Sequence, residues 1–438
     1  MRRNPRKACG GAWTRAGHAR GAGHHRSGFA SACDSIQTVP VPNDSPLRIC
    51  LLTTQNLDAD PFPEDDWPCD PRPFMPEAEW HVATLKGKKG SVRQVERLIK
   101  RGFDLFFNLC DGAADQNIPG IEVIETLEKH GVPFAGATSE CYEPTRVEMK
   151  EACAALGIAT PAYVVASTPE DVERAAETLR FPLFVKHYSS YASVDLSRRS
   201  RVRTPAGLRI QAKKIMSRHG AALIEEYIDG IECTVLVAEN PEDPERPITY
   251  TPAQYQFPKG EEFKHADVKW VIYEGLKSFP VEDPVLAARL RDECARFFVA
   301  LKAASFGRCD LRVSKDGTPY MLEINANCGI YYPPADYGAA DICLSLDPAG
   351  HEGFTRQLVA AAFARHARNE ADRGAGDGAI ERPVTETPPT KSPLTKSPPN
   401  NPSATATPES EADSAPSRAS ACGEALEPAT GVDHDSTA

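Results

Sequence analysis

The stretch that decides the fold is GRCDLRVSKDGTPYMLEIN, residues 307–325. Two segments of alternating apolar and polar residues flank Asp316-Gly317, a dipeptide that strongly indicates a β-hairpin. If the turn has two residues, Asp310 lies directly opposite Glu323. The sequence therefore predicts two carboxylates facing each other across a pair of antiparallel strands.

Alternation divides the predicted hairpin into two faces. The apolar face is expected to enter the core and consists of Cys309, Leu311, Val313, Tyr320, Leu322 and Ile324. The polar face consists of Arg308, Asp310, Glu323 and Asn325, with Arg308 opposite Asn325.

The opposed carboxylates of Asp310 and Glu323 would be about 4.5–5.5 Å apart at Cβ and would repel each other. A divalent cation compensates such a pair, because Asp, Glu and Asn supply the oxygen ligands that Mg²⁺ prefers. The alternative is a solvated polar face, in which Arg308 and Arg312 act as counter-charges. The residues of the hairpin leave both interpretations open.

Composition limits the class of protein. The chain has 438 residues, a length typical of two or three domains, and a net charge of −11 that argues against nucleic-acid binding. No apolar run is long enough for a membrane span. The 13 cysteines include no CxxC pair, which favours a reduced protein without structural zinc.

The two ends differ from the middle. Residues 1–45 are expected to be disordered or a targeting leader, since residues 1–33 contain six arginines, one lysine and no acidic residue. Residues 371–438 are rich in Pro, Ser and Thr and are expected to form a disordered tail. Ser392 and Ser397, in repeated Thr-Lys-Ser-Pro motifs, are candidate phosphorylation sites.

Between the ends, strand-like and helix-like segments alternate, which predicts a fold of mixed α/β and α+β lobes. Residues 46–140 are expected to form an N-terminal α/β domain with a parallel sheet. Residues 141–228 are expected to form a small central lobe, and residues 229–370 a C-terminal lobe that contains the hairpin.

Two further groups are candidates for ligand binding. Lys186 ends an apolar strand, where a lysine is uncommon unless it is paired, and Lys150 lies on the preceding predicted helix. Residues 225–228 and Glu232 could contact a purine nucleotide. For these groups, a solvated lysine and a charged edge strand are the simpler alternatives.

The order of these groups along the chain resembles the ATP-grasp superfamily, and within it the D-alanine–D-alanine ligase-like enzymes. The resemblance covers about residues 100–365. It is strongest in GRCDLRVSKDGTPYMLEINANCG (307–329) and is good in ALIEEYIDGIECTV (222–235). It implies an ATP-grasp fold and a reaction through an acyl phosphate that releases ADP.

The resemblance also implies roles for individual residues. The ligands of Mg²⁺ (or Mn²⁺) would be Asp310, Glu323 and Asn325. The residues that contact ATP would be Lys150, Lys186, Ser193, Glu225, Glu226, Tyr227, Ile228, Glu232 and, with a one-residue shift in alignment, Lys269. The groups that stabilise the oxyanion would be Arg308 and the backbone N–H of Gly329.

The chain departs from the family where substrates bind. Tyr191-Ala192-Ser193-Val194-Asp195 replaces a glycine-rich phosphate loop, and Leu109-Cys110-Asp111-Gly112 replaces an early His-Gly motif. Cys328 replaces a proline, and Tyr331-Tyr332-Pro333-Pro334 replaces a region with a substrate-binding serine. Phosphate and metal positions are kept while substrate positions change.

We therefore expect an ATP-dependent carboxylate–amine ligase that joins an amino acid or small carboxylate to an amine and whose substrates are not two D-alanines. The alternatives are D-alanine–D-alanine ligase itself and, in another class, a nucleotide-binding protein without ligase activity. The expected partners are a small carboxylate and an amine, with no nucleic acid or membrane, and a homodimer is one possible assembly. The expected location is cytoplasmic, with organelle import through the arginine-rich leader as the alternative.

Overall fold

The computed structural model describes residues 45–55, 69–114, 116–188, 195–264 and 275–377. The strands are β1 Arg48–Thr53, β2 Glu79–Thr84, β3 Leu105–Asn108, β4 Phe134–Ala135, β5 Tyr163–Ala166, β6 Leu183–His187, β7 Arg201–Val202, β8 Ala222–Glu226, β9 Gly230–Ala238, β10 Ile248–Thr249, β11 Ala253–Gln256, β12 Lys277–Pro280, β13 Phe306–Ser314 and β14 Pro319–Ala326. The helices are α1 Lys88–Arg101, α2 Ile121–His130, α3 Arg146–Leu156, α4 Pro169–Thr178, α5 Pro205–His219, α6 Pro284–Ala300, α7 Ala339–Ser345 and α8 Gly350–Asp377.

The first sheet has the strand order β2-β1-β3-β4 with every pair parallel, which confirms the predicted parallel sheet. Val95 of α1 and Leu127 of α2 pack with Phe106 of β3 to cover one face. Strand β2 was not predicted, because this edge strand (EWHVAT) is only half-buried and lacks a continuous apolar run.

The second sheet is antiparallel, in the order β5-β8-β6-β7. Helices α4 and α5 cover one face, where Val172 and Leu208 pack with Val185 and Ile224. Helix α4 begins at a capping box in which the Thr168 side chain accepts from the N–H of Asp171, and Pro169 is its first residue.

The third sheet has the order β12-β11-β9-β13-β14, with β10 paired to β9. On one face Phe297 of α6 packs with Val235 and Leu311. On the other face Phe354 of α8 packs with Leu236 and Phe306. The adjacent residues Val235 and Leu236 thus enter different cores, as alternation along a strand requires.

Two observations bear on the expected domain boundaries. Helix α3 follows the proposed boundary at residue 141, yet its Met149 and Cys153 pack in the core of the third sheet. Helix α8 continues to Asp377, beyond the expected start of the tail at residue 371. Residues 1–44 and 378–438, with both candidate phosphorylation sites, lie outside the described residues.

The hairpin turn has three residues, not the two expected. Gly317 N–H donates to the carbonyl of Ser314 (2.9 Å), and Ser314 N–H donates to the carbonyl of Thr318 (2.9 Å). Gly317 has φ +84°, the left-handed conformation that closes a three-residue hairpin loop. By itself this turn would shift every cross-strand pair by one residue.

A β-bulge between Asp310 and Leu311 reverses that shift. Leu311 pairs with Met321, whereas Asp310 pairs with Glu323, so Leu322 has no partner on β13. The expected Asp310–Glu323 and Arg308–Asn325 pairs are therefore confirmed. The expected core face is wrong near the turn: Tyr320 and Leu322 are only partly buried, and Met321 lies in the core instead.

Candidate active site

The polar face of the hairpin brings two carboxylates and an amide together. The Nδ2 atom of Asn325 lies 3.3 Å from Asp310 Oδ2 and 3.5 Å from Glu323 Oε1. Thr234, on the neighbouring strand β9, donates from its hydroxyl to Asp310 Oδ1 (2.9 Å). The three side chains predicted as metal ligands thus share one small volume at the sheet surface.

Each carboxylate is paired with an arginine. Arg308 Nη2 lies 2.8 Å from Asp310 Oδ2, and Arg146 of α3 contacts Glu323. Burial alone would raise the pKa of Asp310, but Arg308 outweighs it and holds that pKa below its ordinary value. Arg146 and Lys186 likewise outweigh burial and lower the pKa of Glu323. Both acids are therefore ionised at neutral pH.

Arg312, the other expected counter-charge, lies elsewhere. Its guanidinium donates to the carbonyl oxygens of Ile228 (2.7 Å) and Gly230 (2.9 Å) and to Glu232 (3.1 Å). It therefore fixes the turn between β8 and β9. The counter-charge of Glu323 is Arg146. This pair was not predicted, because the two residues are distant in the sequence and meet only in the folded chain.

A second cluster joins the two candidate lysines. Lys150 Nζ and Lys186 Nζ each lie 2.6 Å from one oxygen of the buried Glu225 carboxylate. Burial lowers the pKa of Lys186 to about 8, although Glu225 opposes this shift. The two lysines overcome the burial of Glu225 and lower its pKa to about 2. The two clusters are adjacent, because Arg146, which contacts Glu323, and Lys150, which contacts Glu225, lie one turn apart on α3.

The segment 225–228 directs its two glutamates to opposite sides, as alternation predicts. Glu225 points to the lysines, whereas Glu226 pairs with the exposed Arg180 (2.7 Å). The guanidinium carbons of Arg201 and Arg312 lie 4.0 Å and 4.8 Å, respectively, from the centre of the Tyr227 ring. The expected role of this segment in binding adenine stays a prediction.

Lys264 was not identified from the sequence. Its Nζ lies 3.7 Å from Glu232 and 3.1 Å from the centre of the Tyr255 ring. Burial lowers the pKa of Lys264, and the carboxylates of Glu232 and Asp310 oppose this shift. Ser193 and Lys269, also expected to bind nucleotide, lie outside the described residues.

Gly329, the expected oxyanion donor, borders a cavity of about 40 Å³ that opens to solvent. A Cβ at this position would come within 2.4 Å of the Tyr332 hydroxyl, so a larger residue would require the Tyr332 side chain to move. Cys328 lines the same cavity and interacts electrostatically with Arg308. The cavity therefore lies next to the acidic cluster.

The donor set fits Mg²⁺ bound together with phosphate oxygens. Within the described ranges no three His, Cys, Asp or Glu side chains form a metal cluster. Mg²⁺ commonly takes only one or two carboxylates, with phosphate oxygens and water completing the octahedron. Asp310 and Glu323 supply two carboxylates, and the Asn325 amide, whose orientation is assigned from hydrogen bonding, can present its oxygen after a flip.

Comparison with known proteins agrees with this geometry. Residues 153–332 match the family model described as "D-ala D-ala ligase C-terminus". The chain is 28% identical over 240 residues to a D-alanine–D-alanine ligase of Xanthomonas axonopodis, which covers 53% of this chain and 71% of that protein. It is also 28% identical to an uncharacterised protein of Sinorhizobium fredii over 277 residues, 58% of this chain and 76% of that protein.

A solved structure shows the same fold. The D-alanine–D-alanine ligase from Bacillus anthracis, complexed with ATP, aligns with a TM-score of 0.53 and 16% identity over 74% of this chain and 99% of that chain. In sequence and fold this chain resembles the D-alanine–D-alanine ligases of the ATP-grasp superfamily. The expected ATP-grasp fold and the expected class of ADP-forming carbon–nitrogen ligases are thereby confirmed.

The remaining expectations for the ligase-like protein concern membrane spans, cysteines, location and assembly. In the described part of the chain, no helix has both the length and the apolar character needed to cross a bilayer. Each cysteine in the same ranges is a buried free thiol. The relatives named above are bacterial and give no support to organelle import. The assignment of individual site residues, the domain limits, the cytoplasmic location and the homodimer stay predictions.

Proposed function

We propose that the ligase-like protein joins a small carboxylate to an amine and converts ATP to ADP in the groove between its second and third sheets. The observation that carries this proposal is the adjacency of the two charged clusters. One presents ionised Asp310, Glu323 and the amide of Asn325, and the other presents Lys150 and Lys186.

Lys150 and Lys186 would bind the phosphates of ATP. The two ammonium groups share only one carboxylate, Glu225, so this cluster keeps one net positive charge below the Lys186 pKa of about 8. Positive groups placed in advance around a transferring phosphoryl group stabilise its charge without rearrangement. Lys264, beside Asp310, would add a third cation to the same groove.

Asp310, Glu323 and Asn325 would hold Mg²⁺, which when bound neutralises charge on the ATP phosphates. Arg308 and Arg146 keep both carboxylates ionised and so ready to act as ligands. Thr234 donates to Asp310 Oδ1, and Oδ2, which contacts Arg308 and Asn325, would become the metal ligand once those contacts loosen.

The acyl-transfer half of the reaction needs a donor for the oxyanion. A carboxylate attacks the γ-phosphate and displaces ADP to give an acyl phosphate. A neutral amine then attacks the acyl carbon, and inorganic phosphate and one amine proton leave to give the amide. Arg308 and the backbone N–H of Gly329 would stabilise the oxyanion formed in that second step. Each such donor is worth roughly 10²–10³ in rate.

The residues at the expected substrate positions disfavour D-alanine as both substrates. Tyr331, in the region where the family has a substrate-binding serine, is buried and its hydroxyl bonds Thr355 at 3.0 Å, so it has a structural task. Tyr332 instead lines the cavity beside Gly329. An aromatic wall in place of a small hydroxyl changes both the size and the hydrogen bonding of the site.

The test is a coupled assay of ADP release with a panel of amino acids, small carboxylates and amines, with hydroxylamine to trap any acyl phosphate as a hydroxamate. We expect Mg²⁺-dependent hydroxamate formation with at least one carboxylate. Turnover with D-alanine alone would favour D-alanine–D-alanine ligase itself. Nucleotide binding without ADP or hydroxamate from any carboxylate would contradict ligase activity.

A further inference from the structure

A buried carboxylate that the proposed mechanism does not use holds the segment that follows Gly329. Asp341 lies in the first turn of α7 and is fully buried. Its Oδ1 accepts from the backbone N–H of Tyr331 (2.7 Å) and lies 2.8 Å from Nε2 of His351. Its Oδ2 accepts from the N–H of Gly338 (3.1 Å). We call these four residues the Asp341 network. It ties both ends of the segment 331–338 to one carboxylate.

Tyr331 has a backbone conformation that its surroundings enforce. Its φ is +68°, in the left-handed region that a residue with a Cβ seldom adopts. Besides the bond to Asp341, its carbonyl accepts from the N–H of Asp70 (3.1 Å) and its hydroxyl bonds Thr355 (3.0 Å). Its ring lies 5.8 Å from that of Phe74. Such a strained residue persists only where its contacts over-determine it, and strained residues concentrate at active sites.

The next residue, Tyr332, packs between two glycines. A Cβ on Gly329 would come within 2.4 Å of the Tyr332 hydroxyl, and a Cβ on Gly338 would come within 3.0 Å of its ring. The N–H of Gly338 is held by Asp341, whereas Gly329 has no direct bond to that carboxylate. The Tyr332 side chain therefore transmits the constraint from Gly338 to the backbone at Gly329.

The position of Gly329 matters because its backbone N–H is the proposed oxyanion donor. A backbone donor is placed only by the conformation of its chain, so the residues on both sides must be fixed. On one side, Asn327 Nδ2 donates to the carbonyl of Cys110 (3.0 Å). On the other side stand Tyr331 and the Asp341 network. Displacement of a donor by about 1 Å can lower a reaction rate by about a hundredfold.

We propose that Asp341 is a positioning residue for acyl transfer. Through the N–H groups of Tyr331 and Gly338 it holds Tyr332 against Gly329, and so keeps the Gly329 N–H where the oxyanion forms. This inference rests on the proposed ligase function. Because formation of the acyl phosphate would use the lysines and the metal ligands instead, Asp341 should affect the second half of the reaction and not the first.

The test separates the two halves of the reaction in Asp341→Asn. The amide oxygen of this variant can accept one N–H, but its NH₂ group cannot accept the other. Positional isotope exchange in labelled ATP, with a carboxylate that is active in the ADP-release panel and without amine, measures reversible acyl phosphate formation. Amide formation with both substrates measures the complete reaction. We expect amide formation to fall by about tenfold to a hundredfold and isotope exchange to change by less than about twofold.

Asp347→Asn is the matched control. Asp347 Oδ2 also accepts two hydrogen bonds, from the N–H and the hydroxyl of Thr251 (both 2.8 Å), but Asp347 lies outside the Asp341 network. This variant should leave the ratio of the two rates unchanged. Gly329→Ala tests the same contacts with the buried carboxylate intact. Its methyl group should displace Tyr332 and slow amide formation without slowing isotope exchange.

Hydrogen exchange of the backbone amides tests the network without turnover. In Asp341→Asn, the N–H groups of Tyr331 and Gly338 should exchange at least about tenfold faster than in the wild type, whereas Asp347→Asn should leave them unchanged. Equal loss of both half-reactions in Asp341→Asn, or unchanged exchange at Tyr331 and Gly338, would overturn the inference. Failure of the ligase function would appear separately, as a wild type that forms no ADP with any carboxylate while the exchange difference persists.

Discussion

The two charged clusters of the site are built differently. In the acidic cluster, Asp310 and Glu323 each have an arginine, so the formal charges cancel. In the lysine cluster, Lys150 and Lys186 share the single carboxylate of Glu225, so one positive charge remains. Helix α3 joins the two clusters, since its Arg146 contacts Glu323 and its Lys150 contacts Glu225.

This difference in net charge explains how one site can bind a metal ion and an anion side by side. A neutral cluster of acids and arginines can take a cation if the arginine contacts loosen. A cluster with excess positive charge favours phosphate, because the anion supplies the missing counter-charge. Removal of one charge or one constraint should therefore affect the two clusters as differently as their composition implies.

The largest effect is expected for Glu225→Gln. This change leaves two buried ammonium groups without a counter-charge, and breaking a buried ion pair costs about 3–5 kcal/mol in the free energy of unfolding. Urea denaturation measures the loss. ATP should raise the melting temperature of this variant more than that of the wild type, because its phosphates replace the missing negative charge.

The neighbouring Glu226→Gln is the matched control. Glu226 pairs with Arg180, whose side chain is 85% exposed, so the loss should stay below about 1 kcal/mol. Equal destabilisation by the two variants would mean that the shared carboxylate has no special role. An unchanged response to ATP in Glu225→Gln would argue against phosphate binding by the lysines.

The next effect is expected for Asp310→Asn in the acidic cluster. Removal of one metal ligand should lower Mg²⁺-dependent ADP release by roughly 10³-fold, since bound metal supplies several kcal/mol of charge stabilisation. The measurement is the rate of ADP release against Mg²⁺ concentration. Asp316→Asn, in the turn of the same hairpin, should retain the wild-type rate. Retained activity in Asp310→Asn would remove the metal assignment.

A smaller effect is expected from pH through Lys186. Because burial lowers its pKa to about 8, Lys186 loses its proton as pH rises above that value. Affinity for an ATP analogue should then fall by up to about tenfold per pH unit. The free energy of unfolding should change in the opposite sense: the unfolded lysine, with a pKa of about 10.4, binds more protons between pH 8 and 10, so the contribution of Lys186 to stability rises.

Lys186→Met separates this lysine from other groups that titrate in the same range. The variant should bind the analogue more weakly at pH 7 and lack the alkaline decrease. The difference in unfolding free energy between wild type and variant should increase from pH 8 to 10. A decrease of analogue affinity that persists in Lys186→Met would assign the titration to another group.

The fold and the acidic pair could be predicted because their signals are local. Alternation along β13 and β14 and the Asp316-Gly317 turn signal indicated the hairpin. Arg146 and Lys264 could not be found in this way, because their roles depend on contacts between distant parts of the chain. Glu225 was identified from the sequence as a candidate nucleotide contact. The sequence did not indicate that it is the counter-charge of both lysines.

In the hairpin, the predicted pairing of Asp310 with Glu323 is correct although the predicted turn and ladder are not. A two-residue turn and a regular ladder place Asp310 opposite Glu323, and so do a three-residue turn and one bulge. Only the residues between turn and bulge distinguish the two arrangements, through the burial of Met321 in place of Tyr320 and Leu322. A bulge next to a site commonly re-aims a side chain, and no propensity in the sequence announces it.

The smallest effect is expected for Gly317→Ala in the turn. No atom lies within 4 Å of the added methyl group, so the cost arises only from the φ of +84° and should be about 1 kcal/mol in unfolding free energy. The bulge separates the turn from the acidic cluster, so the Mg²⁺ concentration for half-maximal ADP release should not change. A shift of several-fold would mean that the turn also sets the geometry at Asp310 and Glu323. An unchanged value together with lower stability would assign that geometry to the bulge and to β9, which holds Asp310 through Thr234.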